Sequence, residues 1–280
     1  MRVLSSWVPV ACVVALAASP VFGNGYRVLC VKSTKATAMG EAFTVGADDA
    51  SAIAFNPAAL SRLRGYQIRE EGTLCNGYTE RTSPTTGEET DIEDRWQLVP
   101  SFFASADFGL EDVGFGLGVT LPNGLSSEWA KDSFARYAAT YSNLTVMDIA
   151  AGIGVRVWDR LRLGATLDFY YSEVELQRMV NPVFLGYPAG TPDLKNTLQG
   201  DGTAWGFTLG AIFDITPRHR VGLTYRSPFV IDYDGDFSLT GMPDGDFAGT
   251  IEFPAVITAG NLMVAERSPS GIPARAKVPS

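Results

Sequence analysis

Apolar residues recur at every second position in several separate stretches of the chain. Between residues 146 and 157, Met147, Ile149, Ala151, Ile153, Val155 and Val157 alternate with Asp148, Ala150, Gly152, Gly154 and Arg156. The same phase runs through Val113, Phe115, Leu117, Val119 and Leu121, set against Gly114, Gly116, Gly118 and Thr120. It returns in Leu161, Leu163, Ala165, Leu167, Phe169 and Tyr171, and in Trp205, Phe207, Leu209, Ala211 and Phe213. A period of two is the signature of a β-strand with one apolar face. Runs of about ten residues are longer than the usual strand of a soluble sheet and match a tilted membrane-spanning strand.

The connections carry a second pattern. Between residues 66 and 260, segments 109–112, 159–160 and 215–219 are short, whereas 79–93, 122–143, 177–200 and 234–248 are long, and the two kinds alternate. An antiparallel barrel with short turns on one side of a membrane and long loops on the other has this rhythm. The expected fold is all-β: an antiparallel transmembrane β-barrel of about eight strands. Aromatic residues at strand ends, Tyr66, Trp96, Phe108, Trp158, Tyr233 and Phe253, are candidates for interfacial girdles.

The ends set the compartment. Arg2 followed by the apolar run 8–18 and the small-residue site before Asn24 reads as a secretory signal peptide over residues 1–23. Cys12 lies within it. Cys30 and Cys75 remain in the mature chain, and in an oxidising compartment they are either bridged or two separate thiols. No later apolar run reaches the roughly 20 residues of a membrane helix, so a membrane span would have to be made of strands. The net charge of −9 argues against a nucleic-acid partner.

Between signal and strands lies Met39-Gly-Glu-Ala-Phe-Thr-Val-Gly-Ala-Asp-Asp-Ala-Ser-Ala-Ile-Ala-Phe-Asn-Pro-Ala-Ala-Leu60. On its own, Asn56-Pro57-Ala58 is a helix start: Asn caps and Pro presets φ at the first helical position. In order with Met39-Gly40 and Ala47-Asp48-Asp49-Ala50, ahead of the alternating strands, the segment resembles the N-terminal plug of the FadL/TodX (OmpP1) family. The resemblance covers roughly residues 24–260. It implies an outer-membrane barrel that passes long-chain fatty acids and other hydrophobic compounds, with residues 24–65 as a hatch folded into the lumen and residues 66–260 as barrel strands. Asp48 and Asp49 are then either solvated charges or anchors to luminal arginines.

The resemblance also implies lateral release through a break in the wall. Pro122, Asn123 and Gly124 lie where the third strand of the family is kinked; read from the residues alone, they equally make a turn that ends the strand. Beyond them Trp129, Phe134, Tyr137 and Tyr141 fall at helix-like spacings, and in the family the corresponding external loop captures ligand. Arg136 and Arg178 are candidate partners for a carboxylate head group, against the plainer reading of solvated loop arginines.

Enzymatic chemistry finds no footing. His219 is the single histidine and lies in a turn beside Arg218 and Arg220, which leaves neither a triad nor a metal cluster; no catalytic residue, metal or other cofactor is expected. The expected partners are outer-membrane lipid, hydrophobic small molecules and the outer-membrane assembly machinery. The family barrel has about fourteen strands, more than the pattern supplies before residue 260. Residues 261–280 have no alternation and contain three prolines, and read as an atypical, disordered tail of a truncated chain. Two other readings are a small closed eight-stranded structural or adhesive barrel, and a secreted soluble β-protein.

Overall fold

The computed structural model describes residues 32–93 and 95–263. The signal segment, Cys30 and residues 264–280 lie outside them, and with them the proposed cleavage, the disulfide and the tail.

One antiparallel sheet of ten strands dominates the molecule. β1 (Tyr66–Asn76) is followed by a small two-stranded hairpin, β2 (Glu80–Thr82) and β3 (Glu89–Asp91), in the first long loop. β4 (Trp96–Ala106), β5 (Val113–Glu128), β6 (Tyr141–Trp158), β7 (Leu161–Val180) and β8 (Leu194–Thr216) then follow in order. The next two passes are each interrupted, giving β9 (His219–Arg226) with β10 (Phe229–Leu239), and β11 (Gly245–Phe253) with β12 (Val256–Met263). The ten strands therefore make eight passes. β1 pairs with β4 on one side alone, and β11 and β12 form the opposite edge, so among the described residues the sheet is curved but not closed. The closed eight-stranded reading would need those two edges to meet.

Several strands outrun the expected ten residues; β8 reaches 23. β5 continues through Pro122 to Glu128, so the long connection begins at residue 129 and not at 122. β12 likewise runs on past residue 260 to Met263. The reason is physical: the outer ends of the hairpins stay in register well beyond the apolar band, as Tyr141↔Gln177 and Val180↔Leu194 show.

Alternation separates lipid face from lumen. Leu117, Leu163, Leu167, Trp205, Phe207, Leu209 and Phe213 are exposed on the outer face. The opposite face carries Asp148, Asp168, Thr208 and Ser172, all buried. Hydrophobic residues thus point outward and polar ones inward, the reverse of a soluble domain. Tyr66, Trp96, Phe108 and Trp158 are exposed near strand ends, where a girdle needs them. Tyr66 and Phe115 each set a ring edge against Phe108, at 5.9 and 5.5 Å.

Tyr233 and Phe253 depart from the expected girdle: they are 2 and 5% exposed. Ser227-Pro228 and Pro254-Ala255 interrupt adjacent passes at one level, because Phe229 pairs with Phe253. Proline supplies no ladder donor. Across the break the buried set moves from Gly222 and Thr224 to Phe229, Ile231 and Tyr233, a change of phase by one residue. A one-residue slip exchanges the two faces of a strand, so rings expected outside turn inward.

The short turn after β4 is held by one carboxylate. Asp107 accepts from Gly109 N at 3.0 Å and from Gly65 N at 2.9 Å, and these two N–H groups hold its carboxyl below the usual carboxylate range. A depressed carboxyl stabilises the fold above its unfolded pKa and loses that contribution as pH falls through the folded one. Asp107→Asn is therefore expected to flatten the acid limb of a stability-against-pH curve while changing the neutral plateau less; an unaltered acid limb would contradict this.

Candidate functional site

The hatch, residues 32–65, packs inside the curve of the sheet. Its core is made of small residues: Ala36, Ala47, Ala50, Ala52, Ala58 and Ala59, with Phe43, Ile53 and Leu60. Phe43 meets Phe55 edge to face at 5.2 Å. Asn56 adopts extended backbone angles and caps a 3-10 segment, Pro57–Arg62, through Ala58 N–H donating to Asn56 Oδ1 at 3.1 Å. Pro57 takes the first helical position, as its fixed φ favours.

This capped turn lies directly on strand backbones. A Cβ at Gly114 would strike the Leu60 carbonyl, at Gly164 the Pro57–Ala58 peptide, and at Gly210 the Asn56 amide oxygen. Gly154 faces the Pro57 carbonyl in the same way. Glycines from β5, β6, β7 and β8 thus form the seat. Two cross-links fix the turn on it: Asn56 Nδ2 donates to Ala211 O at 3.2 Å, and Thr224 Oγ1 donates to Phe55 O at 3.1 Å. Asp49 ties the hatch to β1 through Arg69 at 2.7 Å and accepts from Ser51 Oγ at 2.5 Å. Asp48 is no wall anchor: it is exposed and paired with Lys35 of the hatch itself.

Above the hatch the lumen is layered. A polar belt comes first, where Arg226 Nη1 donates to Asp148 Oδ2 at 3.0 Å and Thr208 Oγ1 donates to Asp168 Oδ2 at 2.7 Å. Next outward lies an apolar layer of Leu144, Val146, Tyr170, Val174, Phe229, Ile231, Tyr233 and Phe253. Tyr170 stacks on Phe229 at 3.8 Å, and Phe229 on Phe253 at 4.5 Å. Tyr233 OH and Ser172 Oγ lie 2.7 Å apart, which satisfies the phenol inside this layer.

The wall is broken between β4 and β5. Their ladder runs from Ala106↔Phe115 to Phe102↔Val119 and stops there, although β4 continues to Trp96 on its β1 side and β5 to Glu128 on its β6 side. The departure coincides with a register shift between Thr120 and Asn123 in the β5–β6 pairing, with Pro122 inside it. A cavity of about 360 Å³ fills the opening, lined by Cys75, Leu98, Val99, Leu121, Asn123, Gly124 and Leu144 among others. That size falls within the range of small-molecule pockets. Toward the loops the opening is bounded by the bridge Ile92↔Trp129, by Glu93 N–H donating to Glu128 O at 2.8 Å, and by an ion pair from Arg95 to Glu128.

The aromatic candidates of the external loop are spread over three settings. Trp129 belongs to this bridge. Tyr141 opens β6 and pairs with Glu128 and Gln177. Phe134 and Tyr137 end a single 3-10 turn, Phe134–Tyr137, that packs against β7. Arg136 is already engaged: Nε donates to Asp193 Oδ2 at 2.8 Å and Nη2 to Tyr137 OH at 2.9 Å, while Tyr137 OH donates to Asp193 Oδ1 at 3.1 Å. Asp193 raises the Arg136 pKa further, so the guanidinium carries its charge into a loop-to-loop tie. Arg178, by contrast, sits exposed near the end of β7 in the lumen-facing phase of Asp168, Tyr170, Ser172 and Val174.

The family model of outer membrane protein transport proteins, OMPP1/FadL/TodX, matches residues 14–276. The chain belongs to this family. FadL/TodX membership places it in the outer membrane, and the members of the family are transport proteins rather than enzymes. It is 22% identical over 259 residues to the long-chain fatty acid transport protein of Escherichia coli O6:H1, covering 84% of this chain and 57% of that protein. It is also 22% identical over 227 residues to outer membrane protein P1 of Haemophilus influenzae, covering 67% and 50%. The chain spans about half the length of these curated relatives. Among solved structures, a Pseudomonas aeruginosa FadL homologue superposes with a TM-score of 0.68 at 17% identity, over 87% of this chain and 67% of that one. The Pseudomonas putida toluene transporter TodX gives 0.58 at 19%, over 75% and 61%. These likenesses show the fold, that of the FadL/TodX barrels, which the present sheet covers in part.

Two features escaped the sequence reading of this FadL/TodX chain. The small residues of the inner face were visible, but nothing in their spacing says that a hatch backbone rests on them. The stacked Tyr170, Phe229 and Phe253 depend on a phase change that alternation alone cannot reveal. Replacing Gly164 and Gly210 by Val is expected to displace the hatch at an overpacking cost of about 1–3 kcal/mol for each site. Protease sensitivity of residues 32–65 with an intact sheet would register it, and full protection would count against the seat. Arg226→Met should cost about 3–5 kcal/mol by stranding Asp148. Adding Asp148→Asn should restore most of it, and simple additivity of the two changes would refute the pairing.

Proposed function

We propose that this chain serves the passive passage of long-chain fatty acids or other hydrophobic compounds across the outer membrane, with capture on the external loops and lateral release into the bilayer. The observation that carries the reading is the opening between β4 and β5, where both strands continue but their ladder ends at Phe102↔Val119. Unpaired backbone groups are costly in hydrocarbon, and a wall that keeps such a gap has a use for it. Leu98, Val99, Leu121 and Leu144 offer apolar surface there, and Asn123 with Gly124 lines the opening just past the register shift. A solute that moves through it into lipid gains about 0.8 kcal/mol per buried methylene, so no energy source is required.

The names of the relatives support both kinds of cargo: one is a long-chain fatty acid transport protein, another a toluene transporter. Trp129, Phe134, Tyr137 and Tyr141 serve as the first apolar contacts on the outer side. Arg178, exposed in the lumen-facing phase, meets a carboxylate head group; Arg136 holds Asp193 and supports the loops instead. Outer-membrane lipid receives the cargo, and the outer-membrane assembly machinery inserts the strands.

Closing the opening tests this reading. In a Cys30→Ser, Cys75→Ser background, Val99→Cys and Asn123→Cys joined by a short thiol cross-linker are expected to lower uptake of a labelled fatty acid at least tenfold, with the uncross-linked pair unaffected. Undiminished uptake after complete cross-linking would direct the path past the hatch and overturn lateral release.

A further inference from the structure

Beneath the hatch, on the side of the short turns, the charges do not balance. Arg162 on β7 and Arg220 on β9 both pair with Asp214 of β8, each at 2.5 Å, and the three side chains are 14–20% exposed. Arg62, the last residue of the capped hatch turn, extends into the same field: Arg220, Arg162, Asp214 and Asp48 all act on it electrostatically. Of these carboxylates, Asp48 is occupied by Lys35 and Asp214 is shared by the two wall arginines. Three guanidiniums therefore face one carboxylate. Arg62 Nη1 is buried and has no hydrogen-bond partner among the described residues.

A buried guanidinium N–H without an acceptor, beside two like charges, is destabilising twice over: through the missing hydrogen bond and through repulsion. Burial and the two neighbouring arginines hold the Arg62 pKa below its ordinary value, which is the same strain in electrostatic form. An oxyanion removes both terms, because carboxylate and phosphate oxygens match the planar fork of a guanidinium. We propose that Arg62, Arg162 and Arg220 form an oxyanion site, taking a phosphate or carboxylate group, that clamps the hatch to the wall. One of its arms belongs to the hatch and two to the strands, so occupancy couples directly to hatch docking. The site lies apart from the opening between β4 and β5 and does not depend on which cargo passes there.

The test uses the full chain folded in a zwitterionic detergent, with ionic strength held constant by sodium chloride and inorganic phosphate titrated in. The thermal midpoint is expected to rise by several degrees and to saturate. Arg62→Gln should abolish the rise, with a phosphate-free midpoint equal to or above that of the unaltered chain because repulsion is relieved. Arg81→Gln, on the exposed strand β2, should keep it. Should Arg62→Gln fail to fold, Arg62→Lys provides the second reading: charge is kept but the fork is lost, and saturation should need about tenfold more phosphate. Short-chain phosphatidylglycerol in a parallel arm distinguishes sources. A rise at lower concentration than with phosphate assigns the site to a lipid head group, and a rise with phosphate alone assigns it to the free ion. No saturable rise, or an equal rise in Arg62→Gln, would overturn the proposal.

Discussion

Everything in this molecule depends on how closely the hatch backbone approaches the wall. A peptide chain can lie flat on a β-sheet only where the sheet presents no side chains, and here glycines from four successive strands clear that space. The 3-10 turn Pro57–Arg62 then buries its own atoms against strand backbone, and its alanines need no larger core. Close approach also places Asn56 where one amide serves two partners: its oxygen caps the turn and its nitrogen reaches Ala211 of the wall. Without the glycines neither contact forms, and the hatch would have only Asp49–Arg69 and isolated side-chain bonds to hold it.

The same inner face changes character with height. Glycine gives way to a belt of buried acids and Arg226, and that in turn to stacked aromatics. The belt separates two apolar clusters that would otherwise merge, one belonging to the hatch and one to the interrupted passes. Within the polar layer Arg226 and Thr208 each donate to one oxygen of a buried acid, while the second oxygens, Asp148 Oδ1 and Asp168 Oδ1, are buried without a hydrogen-bond partner among the described residues.

Much of this was legible from the chain alone. Eight passes, their order and most of the lipid-facing residues followed from a period of two, which is a property of strand geometry; the expected long connection 234–248 is instead a turn of residues 240–244, because β10 and β11 stay paired out to Phe237↔Gly245. The Asn56-Pro57-Ala58 motif lies in the segment that rests on the glycines of β5 to β8. Pro122 was read as either kink or turn, and the structure has β5 continue through it with a register shift, because Asn123 to Glu128 still pair with β6. What was not legible is relational. The engagement of Arg136 by Asp193 joins loops 57 residues apart, and the inward turn of Tyr233 and Phe253 follows from two prolines that meet only when β10 and β11 pair. Charge candidates chosen residue by residue cannot anticipate which acid lies opposite.

The paired interruptions at 227–228 and 254–255 have a bearing on how this sequence varies. Below them, even-numbered residues of β9 face inward; above them, the odd-numbered residues of β10 do. The two halves of one pass are thus written in opposite phase, with the prolines as the splice. Loss or gain of a single residue at that splice would turn the upper hairpin inside out, bringing Asp232 and Asp234 into the lumen and Phe229 and Ile231 into lipid, while every residue downstream kept its chemistry and lost its address.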